Sequence, residues 1–144
     1  MRFENEKDLE RERKATKTFV KKFNGSFKKL DRNDIDFKIF DNKGNHIAYA
    51  EVKGRLASVK DAFPLPVAAR KLVKLADKRL NPVMIWSCFD GIVYCQVKHM
   101  RGLVTWGGRK PRTHSYNDQE LMVYFNKKDS PFKIIDFKIL SLNH

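Results

Sequence analysis

Cysteine is scarce, and two residues, Cys88 and Cys95, are too few for a disulfide scaffold or a four-ligand zinc site. Long apolar runs are missing as well. No segment approaches the roughly eighteen uninterrupted apolar residues of a membrane span, and no lipidation motif is visible, so a membrane partner is not expected. The opening Met1-Arg2-Phe3-Glu4-Asn5-Glu6 lacks the features of a signal peptide, and the expected location is the cytoplasm. There is no glycine-rich nucleotide-binding motif, and none of the four histidines falls in a metal pattern or a nucleophile triad. Internal repeats and domain linkers are absent too. One domain over residues 1–144 is therefore expected, with a core at about 5–97 and a basic loop and β-rich tail over 98–144.

Negative charge is also in short supply. Seventeen Asp and Glu face thirty Lys and Arg, a formal charge of +13. On so small a chain that excess attracts polyanions. The basic residues recur beside other suggestive features, which favours nucleic acid over a mere surplus of solubilising charge. Eleven Phe supply material for a core, so disorder throughout is not expected.

Residues 5–23 show helical spacing of Leu9, Thr16, Phe19, Val20 and Phe23, with a stop at Asn24-Gly25. Glu12 lies on the same stripe, an unusual place for a charge. A short strand is expected at 26–31. Asp34 to Phe40 alternates, with Ile35, Phe37 and Ile39 on one face and Asp36 on the other; a turn at 41–45 then leads into a strand over 46–53. After a loop at 54–64, a helix is expected from near Pro66 to about Leu80, with Lys71, Lys74 and Lys78 along one flank. Strands at 83–89 and 92–97 flank an expected Asp90-Gly91 turn. That register would set the two cysteines diagonally on one face, roughly 7–8 Å apart, as reduced thiols. Trp106 to His114 reads as a basic, glycine-containing loop in which Arg109, Lys110 and Arg112 can hold phosphates and Trp106 can stack on a base. Further short strands are expected at 121–125 and 132–140. Asp118 and Glu120 read as strand-edge charges rather than ligands.

The chemistry lies in Ile35-Asp36-Phe37 and Ala50-Glu51-Val52-Lys53-Gly54. Residues two apart on a strand share a face, so Glu51 and Lys53 project together. A preceding antiparallel strand can bring Asp36 beside them. Two converging carboxylates, with the Val52 carbonyl as a further ligand, suit a hard divalent cation. Such an ion would polarise a phosphoryl oxygen and acidify a water, while Lys53 would orient that water or stabilise developing negative charge. An isolated Glu-x-Lys is ordinarily two solvated residues on a strand. The ordered context sets this one apart: an acidic helix, Asp on one strand, Glu-x-Lys on the next, then a helix and a strand pair.

These residues resemble the PD-(D/E)XK nuclease superfamily, which includes restriction endonucleases, Holliday-junction resolvases and phage recombination exonucleases. The likeness covers about 5–97. It implies an α/β, restriction-endonuclease-like αβββαβ core whose mixed central sheet is flanked by helices, with a β-rich C-terminal tail. The chain also looks like small bacteriophage-encoded members, which share the opening Asp8-Leu9-Glu10-Arg11-Glu12, a lysine in the helix after the motif, and a Gly-Arg-rich loop near the end. The departure is Ile35, where the motif has proline. The resemblance implies that Asp36 and Glu51 hold Mg²⁺, with Mn²⁺ as a substitute, and that Lys53 is the catalytic lysine. It also implies that a first-helix glutamate, Glu12 or else Glu10, assists with the metal, and that Lys71 contacts the active site or a phosphate. DNA hydrolysis is the function implied, and a homodimer is the assembly that resolvase-like members suggest. The rival readings are a non-catalytic DNA-binding protein on the same scaffold and a structural or inhibitory protein acting through its charge.

Overall fold

A computed structural model describes residues 6–31, 35–108 and 119–138. The fold is mixed α/β. The first helix, α1 (Glu6–Lys21), buries Ala15, Thr16, Phe19 and Val20. It ends as the Asn24-Gly25 pair dictates. Asn24 takes a left-handed φ of 55°, the Gly25 N–H donates to the Val20 carbonyl at 2.9 Å, and the Asn24 N–H donates to Lys21. These are the two bonds of a Schellman cap.

β1 (Ser26–Lys29), β2 (Phe37–Phe40) and β3 (His46–Gly54) follow as an antiparallel meander. The expected alternation of 34–40 holds only in part. Phe37 and Ile39 pack under α1, whereas Ile35 packs on the opposite side of the sheet, in a core with Trp86. β2 begins only at Phe37, and the chain turns just before it, at Asp36.

The largest correction falls on Pro66–Leu80. Leu65–Ala68 is a strand, β4, and the helix, α2, spans only Ala69–Ala76. Leu65 and Val67 are buried in a period of two, not 3.6. Pro66 cannot donate to a ladder, and it is tolerated here because β4 is an edge strand. Its carbonyl accepts the Trp86 indole N–H at 2.8 Å. The expected αβββαβ order thus carries an extra strand before its second helix.

β5 (Pro82–Ser87) lies parallel to β3, and β6 (Gly91–Gln96) pairs antiparallel to β5. The Asp90-Gly91 signal misplaces this turn. Ser87 pairs with Ile92, and the Cys88 N–H donates to the Gly91 carbonyl, so Phe89 and Asp90 form the turn. Gly91 serves another purpose. A Cβ there would sit 2.5 Å from the Ile135 carbonyl of β9 (Lys133–Asp136), so its bareness allows β9 to approach. The shifted register also corrects the cysteine spacing. Cys95 pairs with Met84, four residues along β6 from the position opposite Cys88, or about 13 Å at strand rise. Both thiols are free and buried, and burial pushes Cys88 up to about 11.

The tail completes both layers. β9 closes the main sheet in the order β1-β2-β3-β5-β6-β9 and stops at Asp136, short of the expected 132–140. β7 (Leu103–Gly108) and β8 (Gln119–Phe125) join β4 in a second sheet, ordered β4-β8-β7. Trp106 is therefore in a strand, not a loop, because it pairs with Leu121. The main sheet is packed by α1 on one face and by the small sheet with α2 on the other. Among the described residues no helix is long and apolar enough to cross a membrane.

Gly91→Ala tests the contact between β6 and β9. Forcing a methyl against a backbone carbonyl should lower unfolding free energy by about 1–3 kcal/mol, read as a reduced urea midpoint. Gly44 has open space for a Cβ but a φ of +83°, so Gly44→Ala should cost backbone strain without any clash.

Candidate active site

Ala50 and Val52 of β3 point into the core under α1, so Glu51 and Lys53 point to the other face, towards the small sheet. Phe37 pairs with Ala50, which carries Asp36, one residue ahead of β2, alongside Glu51. Two reciprocal bonds lock this position. The Asp36 N–H donates to Glu51 Oε2 at 3.1 Å, and the Val52 N–H donates to Asp36 Oδ2 at 2.9 Å. Lys29, at the end of β1, reaches Asp36 Oδ1 at 3.3 Å and Glu12 Oε2 at 3.2 Å. Lys71, in the first turn of α2, lies 3.6 Å from Glu51 Oε1.

Glu12, Asp36, Glu51, Val52, Lys53 and Lys71 line one cleft of about 550 Å³. Glu10 is exposed and is not among its lining residues. Arg109, Lys110 and Arg112 lie outside the described residues, as do Asp34, His114 and Asp118.

The cleft also holds residues that the sequence reading did not place there. Arg11 reaches it from α1, Leu56 from the loop after β3, Arg70 from α2, and Glu120 and Met122 from β8. Glu120, read from sequence as a strand-edge charge, accepts an ion-paired hydrogen bond from Arg70 Nε at 3.0 Å. No local spacing connects residues 70 and 120. Their meeting depends on the long-range pairing of β4 with β8.

Burial dominates the electrostatics. It raises the acid pKa of Asp36 against the opposing Val52 N–H and Lys29. Glu51 is pushed up to about 7, first by burial and then by the negative charge of Asp36. Lys53 is lowered, first by burial and then by nearby Arg55, while Glu120 pulls it the other way. Each change reflects a charged group held away from water.

A family model described as phage putative PDDEXK endonuclease matches residues 1–133. The chain belongs to this family. No curated protein and no solved structure matches it. Within this PDDEXK chain, no cluster of three or more His, Cys, Asp or Glu arranged to hold a metal occurs among the described residues. The Asp36–Glu51 pair nevertheless fits magnesium, which keeps several waters and commonly takes one or two carboxylates. Among the described residues each of the four oxygens meets one partner, which leaves acceptor capacity on both side chains.

The raised Glu51 has a consequence for the metal-free protein. A carboxyl whose folded pKa of about 7 exceeds its unfolded 4.5 binds more protons when folded. Its contribution to stability is full below 4.5 and is lost as pH rises through 7. In EDTA, wild-type stability should therefore fall across that window relative to Glu51→Gln, whose side chain cannot ionise. Chemical denaturation of both proteins at several pH values reads the difference; parallel curves would contradict it.

Proposed function

We propose that this PDDEXK chain is a Mg²⁺-dependent DNA endonuclease in which Asp36 and Glu51 hold the ion and Lys53 acts on the scissile phosphate. Mn²⁺ is expected to substitute. The observation that carries the reading is the pair of reciprocal bonds between Asp36, Glu51 and Val52, which holds two carboxylates together at the floor of a cleft that Arg11, Lys53, Arg70 and Lys71 also line.

Asp36 and Glu51 would bind the ion through oxygen. The Val52 N–H points to the strand edge where Asp36 lies, and the carbonyl of a strand residue shares that edge with its N–H, so Val52 is the candidate backbone ligand. When bound, a divalent cation supplies polarisation of a phosphoryl oxygen and a more acidic water. Lys53 shares the strand face of Glu51 and presents its ammonium to the attacking water or to charge developing on the phosphate. Lys71 lies beside the Glu51 carboxylate in the free protein and would take a phosphate oxygen in the complex. Glu12 acts through Lys29, which bridges it to Asp36, so it positions the ligand set. DNA is the proposed substrate because the +13 field favours a polyanion.

Asp36→Asn and Glu51→Gln each remove a ligand charge with almost no change in volume. Cleavage should fall by about a hundredfold or more, since several kcal/mol of charge stabilisation disappear, with folding and DNA affinity retained. Lys53→Ala should lose cleavage and still bind metal by calorimetry. Gel assays on supercoiled DNA with Mg²⁺, Mn²⁺ or EDTA check all three. Salt-sensitive DNA binding with no cleavage by wild type would instead favour a non-catalytic DNA-binding protein.

Phosphate contact should dominate affinity. The slope of log K against log salt gains about −0.9 per neutralised phosphate of duplex DNA. Replacing Arg109, Lys110 and Arg112 together by Ala should flatten it by roughly two to three units and weaken all sequences alike. An unchanged slope would move the phosphate contacts to Lys71, Lys74 and Lys78.

A further inference from the structure

The β7–β8 hairpin runs beyond the strand that completes its sheet. β4 pairs with β8 only over Met122–Phe125, whereas β7 stays paired as far as Gly108 opposite Gln119. The outer part, Trp106–Gly108 against Gln119–Leu121, is thus a two-stranded ribbon among the described residues. Residues opposite each other in an antiparallel pair share a face, as do residues two apart on a strand. Val104, Trp106 and Leu121 therefore continue the face on which Val123 and Val67 enter the second core. Unlike those two, they are 55%, 66% and 47% exposed. Single exposed apolar residues are ordinary, but a contiguous group marks a contact surface. The Trp106 indole N–H donates to Gln119 Oε1 at 3.2 Å, which satisfies its one polar group and leaves the ring available for stacking.

The same ribbon is tied to the cleft. Glu120, the neighbour of Leu121, is bonded to Arg70 and lines the cleft with Met122, Lys53 and Glu51. Neighbouring residues on a strand face opposite sides, so β8 presents Glu120 to the cleft and Leu121 to the apolar platform. A second copy of the chain would bring +13 against +13, whereas a polyanion is attracted. In an intact duplex, base faces are already stacked on one another. An unpaired base offers a free face next to a phosphate.

We infer that Val104, Trp106 and Leu121 form a stacking platform for an unpaired base of the DNA strand held in the cleft, which directs the enzyme to DNA with a single-stranded segment. This rests on the nuclease reading for its substrate but not for its test, because binding is read without cleavage.

The chain has two tryptophans, and Trp86 is fully buried, so ligand-dependent quenching of emission reports on Trp106. Wild type, Trp106→Ala and Trp106→Phe are titrated in EDTA into a fluorescein-labelled single-stranded oligonucleotide and into the blunt duplex of the same sequence, with affinities read from label anisotropy, and wild-type quenching is read with the unlabelled DNAs. Single-stranded DNA should quench wild type strongly and the duplex weakly. Trp106→Ala should weaken single-strand affinity by between about fivefold and about 150-fold, the worth of one stacked base. Its duplex affinity should change less than about twofold, because phosphate contacts dominate there, and Trp106→Phe should recover most of the loss. Equal quenching by both DNAs, or equal loss of both affinities, would overturn the platform. So would a wild-type dimer that Trp106→Ala converts to monomer in sedimentation, which would assign the patch to a second copy. Failure of the nuclease reading would appear differently, as wild-type protein that stacks on single strands and cleaves nothing with Mg²⁺.

Discussion

Asp36 and Glu51 are each bonded to the other's strand. The Asp36 N–H is held by Glu51, and the Asp36 carboxylate is held by Val52, the residue after Glu51. This exchange ties the two chains together one residue beyond the end of the β2–β3 ladder, whose last pair is Phe37 with Ala50. Because backbone donors fix both carboxylates, neither can turn away without leaving a buried N–H unpaired, at a cost of about 1–3 kcal/mol. The same constraint explains the turn at Asp36 and the crossing of Ile35 to the other core. A regular strand would point Asp36 and Glu51 to the same face but leave the Asp36 carboxylate without the Val52 N–H.

Such a site opposes stability, since two carboxylates a few ångströms apart and shielded from water repel each other. The compensation lies on both sides of the sheet. Phe37, Ile39, Ala50 and Val52 pack against α1, while Met84 and Trp86, paired with Glu51 and Lys53, pack against the small sheet. The floor of the cleft is thus built into β3 and β5, the middle strands of the main sheet, and further cations reach it from the sides. Lys29, Lys71 and Arg70 stand on β1 and α2. That division holds the acids in place and leaves the longer basic side chains partly exposed.

The parts legible in the sequence are those governed by local periodicity and capping. α1 and its Asn24-Gly25 stop, the β2–β3 hairpin, and the shared face of Glu51 and Lys53 all follow from neighbours within a few residues. Glu12 was legible as a charge on an apolar stripe, and its bond to Lys29 accounts for it. The parts that failed depend on partners far along the chain. Leu65–Ala68 has a helix-compatible pattern and becomes a strand because β8 offers an edge. Gly91 looks like a turn glycine and is instead the clearance for β9. Trp106 sits in a stretch rich in glycine and basic residues, yet Leu121 pairs with it. In each case a tertiary neighbour overrode a correct local signal.

The cleft inverts the charge balance of the chain. Basic residues outnumber acidic ones thirty to seventeen overall, but Asp8, Glu12, Asp36, Glu51 and Glu120 line the cleft against Arg11, Lys53, Arg70 and Lys71. On the proposed reading, a phosphodiester drawn in by the outer field would meet carboxylates at the floor, and without a cation that last approach would be repulsive. Protonating Glu51 lifts one charge at the price of a ligand. On the proposed reading, Asp36 and Glu51 would instead share a divalent ion, which would offset both charges and make the floor attractive to phosphate. On the proposed reading, the long-range field would govern how DNA arrives and the ion would govern whether the scissile phosphate can reach the floor. The two should respond to different variables: ionic strength for the first, and the carboxylate pair for the second.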